Sequence, residues 1–298
     1  MSLSGVYVPM ATPTTGRRGE IDERALRDYT RLLVDAGVDG LFPCGSIGEF
    51  SSLTAAERAR TIETVVDASG DVPVLAGCGD TSAGAVLEHI DAADAAGADA
   101  AVVVTPYYLQ TTDGGVAEFY ANIADTSSLP VVLYHIPALT NQRLSVETVV
   151  ELATHENIIG LKDTSGDMNF VYEVTRETPE GFGVLQGSTE LALASLDAGC
   201  DGLVAGPANV FPRAVVELVE AYRSGDRGRA TELMNEVVSP TVSAMDDIPT
   251  AAAIKYLVSR SIRGIGDPIV PLPELDATQK QVLDRTYHRV AETVAIAD

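Results

Sequence analysis

At 298 residues the chain suits one large α/β domain or two small ones, and its 46% apolar content is ample for a core. A formal net charge of −23 argues against nucleic acid or an anionic membrane as a partner. Three widely spaced cysteines, Cys44, Cys78 and Cys200, argue against a disulfide framework and fit a reducing cytoplasm.

From residue 6 a beat repeats: short aliphatic strand, turn, amphipathic helix. Strands are predicted at 6–13, 40–44, 72–77, 100–105, 130–134, 158–162, 183–186 and 202–205. Helices are predicted near 22–36, 54–68, 82–96, 115–125, 145–154, 168–176, 189–198 and 212–223. Thr54-Ala55-Ala56-Glu57 has the form of a capping box, and Asp22 and Ser145 are candidate N-caps. Gly37, Gly97 and Gly199 stand where helices would stop.

Eight strands alternating with eight helices predict a parallel sheet, closed as a (β/α)8 TIM barrel over residues 1–224. A doubly wound open sheet is the alternative, but no Gly-rich phosphate fingerprint follows any strand. Past Ser224 the beat stops. Helices at 226–245, 249–260 and 276–296, with a Gly- and Pro-rich loop at 264–273, make residues 225–298 a C-terminal helical extension. No apolar run approaches about 18 residues, so no transmembrane helix is expected. The N-terminus lacks a signal-peptide pattern, and a cytoplasmic protein is expected. His89, His135, His155 and His288 show no ligand spacing with the cysteines, so no metal site is expected.

In such a barrel the chemistry sits at the carboxyl ends of the strands. The sixth strand runs through aliphatic residues into Lys162. A lysine there is costly unless its charge is paired or its pKa falls, and a lowered pKa makes the amine a nucleophile able to form a Schiff base. The ordinary alternative is a lysine that snorkels to the barrel rim. However, the chain has 20 basic residues, of which only Lys162, Lys255 and Lys280 are lysine. Lysine depletion together with acidic excess also predicts a salt-rich cytosol.

Tyr134 ends the neighbouring strand, where its hydroxyl could serve Lys162. The turn Gly45-Ser46-Ile47-Gly48 follows the second strand, and its backbone N–H groups could bind a carboxylate. Each feature alone has an ordinary reading: a packed aromatic, a mere turn, and in Glu49 a structural acid bonded to nearby backbone. Placed together at one barrel face, they suit a 2-keto acid. The amine condenses with the ketone, the iminium accepts electrons from a C–C bond, and the phenol relays protons.

Gly45-Ser46-Ile47-Gly48-Glu49, Tyr134-His135-Ile136-Pro137 and Gly160-Leu161-Lys162-Asp163-Thr164-Ser165-Gly166-Asp167 resemble the three signatures of the dihydrodipicolinate synthase / N-acetylneuraminate lyase family. The resemblance spans essentially the whole chain, including Thr105-Pro106-Tyr107-Tyr108 and the Ile248-Pro249…Lys255 stretch. It implies a (β/α)8 barrel, a homotetramer, and class I aldolase chemistry on pyruvate without a metal. It makes Lys162 the Schiff-base lysine and Tyr134 the proton relay, with no cofactor beyond that covalent link. Ser46 and the Ile47 amide would hold the pyruvate carboxylate, and backbone near Val204 would border the pyruvate. Tyr108, with Tyr107 as the alternative, would reach into a neighbouring subunit's site.

Departures from the family patterns bear on the substrate. Dihydrodipicolinate synthases carry an arginine after the tyrosine motif that holds the carboxylate of aspartate semialdehyde; Leu139 stands there. Losing that charge-assisted contact removes about 1.5–3 kcal/mol. Sialic acid lyases have a Gly-x-Asp-Glu run for substrate hydroxyls. Here it reads Gly187-Ser188-Thr189-Glu190, with Gly206 where a serine is usual. Lys162-Asp163-Thr164 is similar to the lysine motif of archaeal 2-keto-3-deoxygluconate aldolases, whose threonine contacts substrate hydroxyls. No arginine adjoins Tyr107-Tyr108 to clamp a phosphate, which favours the unphosphorylated sugar acid. The expected activity is therefore cleavage of 2-keto-3-deoxygluconate. The alternatives are an N-acetylneuraminate lyase-like enzyme, a keto-deoxy sugar acid dehydratase (favoured by Gly48-Glu49-Phe50-Ser51-Ser52-Leu53), dihydrodipicolinate synthase, and a silent keto-acid-binding barrel. Ile47 replaces a usually hydroxylated residue, so any hydroxyl role at that turn falls to Ser46.

Overall fold

A computed structural model describes the backbone of residues 1–297 and the side chains of residues 1–294. The end of the predicted extension, Asp298, lies outside the described residues. Eight parallel strands run in chain order: β1 (Gly5–Pro9), β2 (Gly40–Phe42), β3 (Leu75–Gly77), β4 (Ala100–Val104), β5 (Val131–His135), β6 (Ile158–Asp163), β7 (Gly183–Gln186) and β8 (Gly202–Val204). Their lateral order is β2-β1-β8-β7-β6-β5-β4-β3, and a parallel bridge between Leu41 and Val74 joins the two ends. The result is a (β/α)8 TIM barrel, and the open doubly wound sheet is excluded.

Alternation along each strand divides the apolar residues. Tyr7, Phe42, Leu75, Val102, Val132 and Leu185 fill the interior. Val6, Val8, Leu41, Val103, Leu133 and Leu161 face the surrounding helices. The helix ends follow the predicted chemistry. Thr54 and Glu57 form the full capping box, and Asp22 and Ser145 accept the Ala25 and Thr148 N–H groups. Gly97 closes its helix with a left-handed φ of 89°.

Boundaries move where backbone partners run out. Pairing of β1 with β2 ends at Pro9–Phe42, and the next free N–H, of Ala11, donates to Asn209 Oδ1, so the predicted strand 6–13 stops early. The single helix predicted at 226–245 is three segments: Arg227–Leu233, a π-turn at Met234–Val238, and Ser239–Ser243. Pro240 has no N–H to give the ladder, which accounts for the break. The helix expected at 189–198 begins as a 3-10 turn, Thr189–Leu191, before Ala192–Asp197.

Beyond Ser224 the helical segments pack against the barrel's own outer layer. Leu233, Val237, Ala252, Ile254, Leu257, Leu283 and Val290 share one buried cluster with Val6, Leu26 and Val215. Among the described residues, no helix is long and apolar enough to cross a membrane.

Candidate active site

Strand register assembles the centre of the site. Tyr134 of β5 pairs with Lys162 of β6, which pairs with Leu185 of β7. In-register residues of parallel strands point the same way, so Tyr134 and Lys162 enter the barrel interior side by side. The Lys162 Nζ lies 3.7 Å from the centroid of the Tyr134 ring and 4.7 Å from that of Phe42. Those two rings meet edge to face, 6.3 Å apart. Lys162 is 5% exposed. Burial pulls its pKa below the ordinary lysine range, and only Tyr134 opposes that shift. The aromatic cage gives the amine room to react and a surface that tolerates a cation.

The turn after β2 faces this pair. Ser46 Oγ is 3.4 Å from the Tyr134 hydroxyl. Two non-glycine residues with left-handed backbones, Cys44 and Glu49, each at φ 57°, bracket the turn. Such conformations are costly and persist only where surroundings impose them. Gly45 packs on Phe42, where a Cβ would stand 2.8 Å from the ring. The turn's far end is held by Thr12, whose hydroxyl donates to the Gly48 carbonyl at 2.7 Å.

Behind the reacting pair stands a second one. His135 and Asp163 follow Tyr134 and Lys162 and so point outward, 1% and 0% exposed. The His135 ring accepts the Leu144 N–H at Nε2, which leaves the proton on Nδ1 to donate to Asp163 Oδ1 at 2.8 Å. The other Asp163 oxygen accepts the Ser165 hydroxyl and N–H. The sequence carries this pair only as two polar residues inside apolar strands.

Toward the mouth, Thr164 donates its N–H to the His135 carbonyl, and its Oγ1 is buried without a hydrogen-bond partner among the described residues. Gly187 closes over it. A Cβ there would lie 2.1 Å from Thr164 Oγ1 and 3.2 Å from Lys162 Cε, so only glycine leaves the lysine its space. Thr189 is buried and Glu190 exposed on the turn after β7, and Val204 ends β8 within the barrel.

One cavity of about 660 Å³ gathers these groups. Of the sequence-predicted residues, Ser46, Ile47, Tyr107, Tyr134 and Lys162 line it, as do Thr164, Gly187, Thr189, Glu190 and Val204. Tyr108 does not; it is 89% exposed at φ 75°, beside Leu109 at 76%. Tyr107 instead turns inward, edge-on to Phe50 at 6.4 Å, and burial pushes its phenol pKa up. Sequence reasoning missed Phe42, although inward alternation along β2 from Gly40 was a usable signal. It also missed the wall formed by the extension: Val242, Met245, Asp246, Thr250, Pro271 and Leu272. No local pattern announces that wall, because it is built by chain returning about 80 to 110 residues after Lys162. Lys162 is the only basic residue lining the cavity among the described residues, while Glu190 and Asp246 stand at its mouth.

Comparison with known proteins gives a consistent family pattern. The family model described as "Dihydrodipicolinate synthetase family" matches residues 2–288. A 4-hydroxy-tetrahydrodipicolinate synthase of Natronomonas pharaonis is 41% identical over 237 residues, 79% of this chain and 80% of that one. An uncharacterized DapA-like lyase of Halobacterium salinarum is 38% identical over 95% of this chain and 93% of its own. Among solved structures, YagE of E. coli K12 belongs to the dihydrodipicolinic acid synthase family and was solved in complex with pyruvate. It superposes with a TM-score of 0.90 at 32% identity, over 97% of this chain and 99% of that one.

Proposed function

The chain belongs to the dihydrodipicolinate synthetase family of class I pyruvate-dependent aldolases and lyases, and from that premise we propose that it cleaves a 2-keto-3-deoxy sugar acid, 2-keto-3-deoxygluconate, to pyruvate and an aldehyde. The observation that carries this reading is the charge of the cavity wall. Lys162 is its only cation among the described residues, Leu139 lines it where a synthase would have arginine, and Glu190 and Asp246 would repel a second carboxylate or a phosphate. An uncharged, hydroxylated tail avoids that repulsion, and the unpartnered Thr164 hydroxyl, Thr189 and Glu190 offer it hydrogen bonds.

In the proposed reaction the uncharged Lys162 amine attacks C2 of the keto acid, whose carboxylate rests on Ser46 and the Ile47 amide. Water leaves and an iminium forms, its charge next to the Phe42 and Tyr134 rings. Tyr134, left as a phenolate after giving its proton to the departing hydroxyl, takes the proton of the C4 hydroxyl as the C3–C4 bonding pair moves into the iminium, releasing the aldehyde and leaving an enamine. Protonation at C3 and hydrolysis then release pyruvate and restore the amine. The covalent link to Lys162 is the only prosthetic chemistry this sequence of steps uses.

We further propose a homotetramer, with the exposed Tyr108 directed at a neighbouring copy, and a cytoplasmic, salt-rich setting. Support comes from the Tyr108–Leu109 apolar projection and the net charge of −23.

A panel of keto-deoxy sugar acids, assayed in high salt with borohydride trapping, tests the proposal. The expected results are pyruvate release from 2-keto-3-deoxygluconate and an adduct at Lys162. Condensation of pyruvate with aspartate semialdehyde in preference to sugar-acid cleavage would replace this reading with synthase activity, the activity for which several relatives are named. A dehydrated product without pyruvate would make the enzyme a dehydratase, and pyruvate binding without an adduct would leave a silent barrel.

A further inference from the structure

Besides Asp163, which braces the strands from outside, the reaction steps leave a second buried acid without a part. Glu49 closes the turn that carries Ser46 and Ile47, is 3% exposed, and has both carboxylate oxygens occupied. Its Oε1 accepts Lys255 Nζ at 2.9 Å, and its Oε2 accepts the Ile269 N–H at 2.6 Å. Lys255 is fully buried, and its ammonium also donates to Thr14 Oγ1 at 3.1 Å. Thr14 in turn donates its N–H to the Ile265 carbonyl. One carboxylate therefore joins the turn, the exit of β1, the helix Thr250–Val258 and the loop around Ile269.

The placement of these partners gives the junction a purpose. The Thr250–Val258 helix begins on the cavity wall with Thr250 and Ala251, and two residues past Ile269 the loop supplies Pro271 and Leu272 to the same wall. Glu49 itself is held in the left-handed region, at φ 57° and ψ 33°, three residues after Ser46. Its N–H closes the turn on the Ser46 carbonyl at 3.1 Å. A backbone in that conformation needs anchoring, and the two side-chain bonds provide it.

We infer that Glu49 is a positioning residue: by anchoring the turn to the C-terminal extension through Lys255 and Ile269, it holds Ser46 and the Ile47 amide at the height where a keto-acid carboxylate meets Lys162. Glu49 also lines the cavity, but both its carboxylate oxygens are engaged by Lys255 and the Ile269 N–H, so it acts through the turn it anchors. The inference rests on the Schiff-base reading, so wild-type trapping with pyruvate and borohydride is the control; if wild type gives no Lys162 adduct, it is that reading which fails.

Given a wild-type adduct, the variants decide. Glu49→Ala/Lys255→Met removes the anchor and leaves no unpaired charge inside the protein. Its half-saturating pyruvate for adduct formation should rise about tenfold, while the adduct yield at saturation stays at the wild-type level. Glu49→Gln/Lys255→Met keeps an acceptor for the Ile269 N–H but loses the Lys255 bond, so it should recover only part of that loss and leave half-saturation about threefold above wild type. A role in stability alone would lower the yield and leave half-saturation unmoved, and that result would overturn the inference. Should the alanine variant fail to fold, the glutamine variant decides by itself: a rise of about threefold sustains the anchor, and wild-type half-saturation refutes it.

Discussion

His135 and Asp163 are hydrogen-bonded, Nδ1 to Oδ1 at 2.8 Å, directly behind Tyr134 and Lys162 on the same two strands. Two successive register pairs thus do different work. The inward pair holds the amine and the phenol. The outward pair ties β5 to β6 with a buried hydrogen bond, and the Leu144 and Ser165 N–H groups complete it. The register that sets Lys162 against Tyr134 is thereby fixed from outside the cavity.

Asp163→Asn tests that link. The amide has one acceptor and one donor where the carboxylate has two acceptors. If its oxygen faces His135, its NH2 meets the Ser165 N–H; if its NH2 faces His135, the ring must move its proton to Nε2, against the Leu144 N–H. Either way a buried donor is unpaired, at a cost of about 1–3 kcal/mol. Denaturant unfolding should show that loss, with turnover falling as well. Wild-type stability in the variant would mean that the pair does not brace the strands.

Lys162→Met should abolish both turnover and adduct formation while raising the melting temperature. The folded-state pKa of Lys162 lies below its unfolded value of about 10.4, because burial disfavours the charged form. Between those two values the unfolded chain binds more protons, so wild-type stability climbs as pH rises through that window. The variant lacks the group and should not climb with it. Its advantage should therefore be largest below the folded pKa and disappear above the unfolded one. A melting profile parallel to wild type from pH 6 to 10 would contradict the depressed pKa.

The barrel and most of the cavity were legible in the sequence because they depend on local periodicity. Continuous aliphatic runs at 130–134 and 158–162 mark two buried strands that end in Tyr134 and Lys162, and glycines such as Gly97 mark where some of the helices stop. Glu49–Lys255 was not legible. The two residues are 206 positions apart, and their charges alone select no partner among 43 acidic residues. Phe42 lay between these extremes, since its strand was read correctly but its approach to Lys162 comes from barrel closure. Strand starts such as that of β3, expected at 72 and found at Leu75, slipped because Pro73 has no N–H for the ladder.

Salt should stabilise this protein. Its arginines already sit between acids: Arg60 bonds Glu23 and Glu63, and Arg229 bonds Glu217 and Glu232. These exposed pairs contribute little each and weaken with salt. The unpaired remainder of a net charge of −23 repels itself across the surface, and screening relieves that repulsion. Raising KCl from 0.1 M to 2 M, by roughly an order of magnitude, should lift the melting temperature by at least about 5 °C. An unchanged or falling value would mean that the acidic surface is not an adaptation to salt.

Leu139→Arg tests the reading of the substrate tail. Leu139 sits on the short helix Pro137–Thr140, 67% exposed, with its side chain on the cavity wall. An arginine there would give the cavity a second cation able to hold a carboxylate in a two-pronged hydrogen bond. In a buried setting that contact contributes about 1.5–3 kcal/mol, and exposure together with competition from Glu190 and Asp246 moves it to the low end, about tenfold in rate. The variant should therefore gain about tenfold in kcat/KM for condensing pyruvate with aspartate semialdehyde, and lose efficiency on 2-keto-3-deoxygluconate as the arginine crowds the neutral tail. Half-saturation by pyruvate alone should move little, because Leu139 is not part of the Ser46–Ile47 turn assigned to the pyruvate carboxylate. If wild type already condenses aspartate semialdehyde efficiently and Leu139→Arg adds nothing, the missing cation does not set specificity and the neutral-tail assignment fails.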